Sequence, residues 1–298
     1  MAKIILKNIT GKLRSIDFWL MSILVVVVLA ISPVGTLCLK SEIPLYKAAV
    51  TMSEKELILA GEYMSSYYIV MNAHCYEWFV IISPVVFCFT AVRSLRDSLF
   101  GGIYNYTVTR ISKKKNIKIE FISSIICTAL TVLVGMLVFT AVAYMFFPNL
   151  ESISIPKEFS EVRKIYGITE GARLLSYIKM LGNVLMVSIL MAELSMLFLV
   201  CFKDVFYALN VPLLILYLGS KLLNLHLNIL RKKYGVMYSF RKLFPELMNP
   251  YYLFISMPEG FPAIAGVNDI WYFFGLAAGI VLLAILTIKV MGKYEGYQ

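Results

Sequence analysis

Residues Phe18 to Cys38 form an apolar run of 21 residues without a single charge. A helix rises about 1.5 Å per residue, so such a run reaches about 30 Å, the thickness of a bilayer's hydrocarbon core. Three more runs pass the same test. Phe121 to Phe147 passes with length to spare, which implies tilt or protrusion. Met180 to Phe202 passes with one acid inside, Glu193. Trp271 to Met291 passes with Lys289 near its end, where a long amine can snorkel to the head groups. Composition agrees: 60% of the 298 residues are hydrophobic, only 15% are charged, and the mean hydropathy is +0.79. Soluble domains carry about 25% charged residues. A soluble enzyme, a disordered chain and a disulfide-stapled secreted module are therefore all excluded as classes.

Two shorter apolar stretches complete the set. Trp78 to Val92 reaches full length when extended back to residue 70, and Val205 to Leu218 when extended to residue 225. The expectation is an all-α polytopic membrane protein with one transmembrane domain over residues 1–298. Its six crossings lie at 18–38, 70–92, 121–147, 180–202, 205–225 and 271–291. The first apolar run is too long for a signal-peptide core and lacks a small-residue cleavage pattern, so it is expected to stay in the mature chain.

Basic residues near span ends stay on the cytoplasmic side. The N-terminal tail holds Lys3, Lys7, Lys12 and Arg14, and the segment between the second and third crossings holds Arg93, Arg96, Arg110, Lys113, Lys114, Lys115 and Lys118. Six crossings put both segments on one side, so both termini are expected in the cytoplasm, in a multi-pass protein of the cell membrane. Most acids fall in the long outer loops, where the rule is weak. Trp19, Trp78 and Trp271 each fall at an expected boundary, as an aromatic belt requires.

Residues 1–16 read as an interfacial helix. Ile5, Ile9, Leu13 and Ile16 share one side of a helical wheel, with Lys3, Lys7 and Arg14 opposite. Lys12 falls toward the apolar side and is expected to snorkel. Residues 93–117 form a cytoplasmic segment in which Leu95, Leu99, Ile103 and Tyr106 recur at helical spacing before a basic cluster. An ordinary positive loop explains the charge. A docked cytoplasmic partner explains the charge and the apolar periodicity together. The outer loop 226–268 holds Arg231, Lys232, Lys233, Arg241 and Lys242, and its apolar pieces are too short to span. Interfacial or re-entrant helices are expected there. Its basic residues suit phosphate head groups or, alternatively, an acidic ligand.

Catalytic signatures are absent. No G-x-x-x-x-G-K-[ST] loop, no H-E-x-x-H and no paired cysteine motif occurs, so neither a catalytic residue nor a bound metal or cofactor is expected. The two histidines, His74 and His226, read as interfacial structural residues. Glu193 suits proton relay or cation contact, and equally a hydrogen bond to a neighbouring helix in its protonated form. Pro84 and Pro212 are expected to bend the second and fifth crossings, shaping a pathway or simply the packing.

The order of parts resembles a permease subunit of the ABC type-2 exporter family. That family has six spans, an interfacial helix before the first, a coupling helix between the second and third, and re-entrant outer helices before the sixth. The stretch from Asp97 through Gly101 and Gly102 to Arg110, Ser112 and Lys113–Lys115 is similar to the family's coupling segment. The resemblance implies that Asp97, Leu99, Phe100, Ile103, Tyr104 and Arg110 dock an ATPase. It implies two copies of a separate cytosolic ABC ATPase, which bind the ATP, and a second permease chain, identical or related. The cargo would be amphipathic or peptide-like and the surroundings a lipid bilayer; nucleic acid is not an expected partner. Two rival readings stand beside this one. One is an ion-coupled secondary transporter using Glu193. The other is a non-transporting receptor or immunity protein that binds peptides through its outer loops.

Overall fold

The computed structural model describes residues 2–40, 66–73, 77–100, 113–147, 170–215, 218 and 269–293. Among these the chain is wholly helical. In chain order the helices are α1 (Ala2–Leu13), α2 (Ile16–Lys40), α3 (Ser66–Asn72), α4 (Glu77–Phe100), α5 (Lys113–Phe146), α6 (Glu170–Phe202), α7 (Val205–Ile215) and α8 (Asp269–Lys293). Among the described residues, three segments are long and apolar enough to cross a membrane: Lys115–Phe146 of α5, Leu174–Phe202 of α6 and Phe273–Lys293 of α8. The pair α1 and α2, bent by 65°, meets the same standard when taken together.

The bend between α1 and α2 has a local cause. Ser15 N–H and Ser15 Oγ both donate to the Lys12 carbonyl, at 3.0 and 2.6 Å, which closes α1. Ser15 Oγ then accepts the Phe18 N–H at 3.3 Å. That is an N-cap, and it starts α2 on a new axis.

The expected crossing at 70–92 is divided differently in the structure. Its first residues belong to α3, and α4 begins only at Glu77, with 74–76 outside the described residues. Nor does the helix stop at Val92. It runs on through Phe100, because Arg93-Ser94-Leu95-Arg96-Asp97-Ser98 contains neither glycine nor proline to end it. Helix α5 likewise starts at Lys113, eight residues before the expected edge of its apolar run. Apolar runs mark where lipid is met, whereas helices end where a breaker or cap occurs. Pro84 lies inside α4 and is buried. The described part of α7 is too short to cross alone, at about 16 Å.

Helix α6 is central and packs on α4, α5 and α8, while α2 packs on α4 and α5. Its inward face is Met180, Val184, Val187, Met191, Ala192, Met196 and Leu199, all buried. Phe79 and Phe87 of α4 meet edge to face at 5.8 Å. Helix α8 turns Leu276 and Met291 inward and leaves Phe274, Val281, Leu282, Ile285 and Leu286 exposed. A surface of that kind suits lipid, where apolar exposure carries no hydrophobic penalty.

Helices α2 and α5 approach closely at Gly135. A Cβ on Gly135 would lie 2.6 Å from both Cβ and Cγ1 of Val25, and 3.1 Å from the Ser22 carbonyl oxygen. Small residues let helix backbones close in this way where no hydrophobic force drives them together. We expect Gly135→Val to push α2 off α5 and lower stability by about 1–3 kcal/mol. Thermal unfolding in micelles should show an earlier transition, partly recovered by adding Val25→Gly. Full stability in Gly135→Val alone would contradict this packing.

Candidate functional site

Polar side chains converge at one end of the bundle. The first group joins α1 to the start of α5. Lys12 Nζ lies 3.2 Å from Glu120 Oε2, and 2.9 Å from each of Ser123 Oγ and Ser124 Oγ. All three ammonium hydrogens are thereby used. Asn8 Nδ2 donates to Glu120 Oε1 at 2.8 Å and to Ser123 Oγ at 3.1 Å. The Lys12 and Glu120 side chains are only 13% and 15% exposed. Burial holds the Lys12 amine below its ordinary value, against the opposing pull of Glu120. The expectation that Lys12 snorkels to the head groups is thus corrected. Its side of α1, with Ile9, faces the bundle, and Glu120 supplies the partner that snorkelling would have found in water.

A second link joins α2 to α4. Arg93 Nη1 lies 2.7 Å from Asp17 Oδ1, with side chains 50% and 36% exposed. So open a pair adds at most about 1 kcal/mol. Its effect is positional, tying the extension of α4 to the first turn of α2.

The third element is the corner between α6 and α7. The Lys203 N–H donates to the Leu199 carbonyl at 2.7 Å, ending α6, and Lys203 adopts φ 60°. That is the left-handed closing residue usually filled by glycine. A lysine there carries a strain of about 1–2 kcal/mol. Asp204 Oδ1 then accepts the Phe206 N–H at 2.6 Å and caps α7. Between this corner and α4 lies a cleft of about 460 Å³, lined by Phe89, Arg93, Arg96, Lys203, Asp204 and Val205.

The sequence-derived docking residues separate. Asp97 is exposed on the last turns of α4. Leu99, however, is 6% exposed, and with Leu95 it belongs to the chain's own core. Packing within the chain therefore accounts for the first half of the apolar periodicity, which had pointed to a partner. Phe100 is the last residue of α4, and Ile103, Tyr104 and Arg110 lie outside the described residues, as do His74, His226 and the loop 226–268. Pro212 is buried in α7.

Glu193 is buried in α6 at 1% exposure, and its Oε2 has no hydrogen-bond partner among the described residues. The hydroxyls of Ser83 and Thr90 on α4, Thr128 on α5 and Thr287 on α8 are likewise buried and without a partner among the described residues. Among the described residues no group of three His, Cys, Asp or Glu could hold a metal ion.

Sequence reasoning missed the Lys12–Glu120 cluster and the α4–α6 cleft. A signal for the first existed in the basic residue on the apolar side of α1. Compared with known proteins, the chain matches no family model, no curated sequence and no solved structure.

Removing the Glu120 carboxylate would leave a mostly buried ammonium and amide without their acceptor. We expect Glu120→Ala to free α1 from α5, at a local cost of about 3 kcal/mol. A cysteine placed at the buried Ile9 should then react faster with a polar maleimide than in the Glu120 parent. An unchanged rate would mean that the cluster does not hold α1.

Proposed function

We propose that this chain is the permease subunit of an ATP-driven exporter, with six crossings and both termini in the cytoplasm. Two copies of a separate ATPase supply the energy, and a second permease chain completes the pathway for an amphipathic or peptide-like cargo. The observation that carries the reading is the two-turn extension of α4 beyond its apolar run, from Arg93 to Phe100, which leaves Asp97 exposed. That extension is tied to α2 by Arg93–Asp17, while α1 is clamped to α5 by Lys12–Glu120. A push delivered there reaches three of the crossings through fixed contacts rather than through a floppy loop. A motor can bias the bundle only by binding its two states unequally, which requires a docking element that moves with the helices.

The docking surface falls to Asp97, Phe100, Ile103, Tyr104 and Arg110. Leu99 is left out because it serves the core. We expect Asp97→Ala combined with Ile103→Ala and Arg110→Ala to abolish co-purification of an ATPase from native membranes, with the unfolding temperature nearly unchanged. Undiminished recovery of the ATPase would defeat the reading.

Buried Glu193 favours a second reading, an ion-coupled carrier. A buried carboxylate whose Oε2 finds no partner among the described residues suits a site that holds a proton or a cation at some stage. In a carrier, Glu193→Gln would stop transport in vesicles that contain no ATPase. In an exporter the same substitution leaves ATPase binding intact.

A further inference from the structure

We infer that the cleft between α4 and the α6–α7 corner is a binding site for the head group of an anionic phospholipid. The inference does not depend on the export reading; it requires only that this end of the bundle sit at a membrane surface. Three cations line the cleft, Arg93, Arg96 and Lys203, against one acid, Asp204. Its Oδ1 also caps α7 by accepting the Phe206 N–H, and its single charge leaves the three cations in excess. Arg93 is shared with Asp17, while Arg96 makes no ion pair with a described residue. Arg93 and Arg96 are three residues apart on one helix and so face the same way. Two guanidinium forks beside an ammonium suit a phosphodiester, which accepts paired hydrogen bonds.

The apolar walls argue for a lipid over a free anion. Phe89 lies one turn from Arg93 along α4, toward the apolar run, and Val205 opens α7 on the opposite wall. A phosphate held by the cations would set its glycerol and the first acyl carbons against these two residues. A cleft of about 460 Å³ is the size of a small-molecule site and takes a head group while the chains remain in the bilayer. Basic pockets between helices at a membrane surface bind anionic head groups in this way. A zwitterionic head group would place its own cation beside three others.

The test uses the purified full chain in neutral detergent, with thermal unfolding followed as lipid is added. Phosphatidylglycerol should raise the unfolding temperature, whereas phosphatidylcholine and inorganic phosphate should not. The double variant Arg96→Gln, Lys203→Gly removes two cations while leaving Arg93 and its link to Asp17. Glycine at 203 also relieves the left-handed backbone, so the variant folds. Its response to phosphatidylglycerol should need about thirtyfold more lipid. An undiminished response in the double variant would overturn the inference. So would a phosphate response equal to that of the lipid, which would indicate a free-anion site. Loss of a bound cytosolic protein, with the lipid response intact, would assign the cleft to that protein and overturn it equally.

Discussion

Hydrocarbon offers a backbone amide nothing to bond with, so a chain that crosses it must satisfy every peptide group within its own segment. Helices do this, and the same demand extends to the small polar side chains buried here. Ser22, Thr131 and Thr140 return their hydroxyl protons to carbonyls four residues back, at 2.8–2.9 Å. Where polarity is absorbed locally, association rests on fit. Gly135 lets α5 reach Val25, and α6 occupies the centre with an unbroken inward face. The outward face of α8 is apolar, as suits a surface that meets lipid.

The charged residues are driven to the ends, and at the end described here they serve two different purposes. The Lys12–Glu120 pair is nearly buried and fully hydrogen-bonded, so removing either partner strands the other in a medium of low dielectric. It fixes where α1 lies. The Asp17–Arg93 pair is half exposed and weak, and it sets register without supplying much stability. Together they make one rigid collar from elements far apart in the chain. The amphipathic α1, which could have floated in the head-group layer, becomes part of the bundle.

The sequence made the apolar lengths plain, because twenty uncharged residues have few other uses. It also marked a helix ahead of the first apolar run, and α1 covers Ala2–Leu13. What it could not show was pairing across the chain. Lys12 and Glu120 are 108 residues apart, and nothing local distinguishes a lysine that snorkels from one that turns inward. Helix ends were misplaced for a related reason. A change in polarity marks the membrane edge, yet Arg93–Phe100 continues α4 because no breaker intervenes. Leu95 and Leu99 show the same limit. Periodic apolar residues announce a buried face without saying whether the chain's own core or a partner buries it, and here the core does.

Lysine at position 203 is the choice that local backbone preference argues against. Glycine would close α6 with less strain, and the left-handed conformation penalises a side chain by about 1–2 kcal/mol. Part of this is offset where it stands, since a cation at a helix C-terminus gains about 0.3–1 kcal/mol from the helix dipole. That gain accounts for one cation at the end of α6. It does not account for three around a single cleft, where Arg93 and Arg96 add repulsion that Asp17, paired with Arg93, and the capping Asp204 only partly relieve. Like charges gathered at a fixed spacing are stable when an anion completes the set. An anion drawn from the membrane surface would also sit against Phe89 and Val205, which water would leave poorly covered.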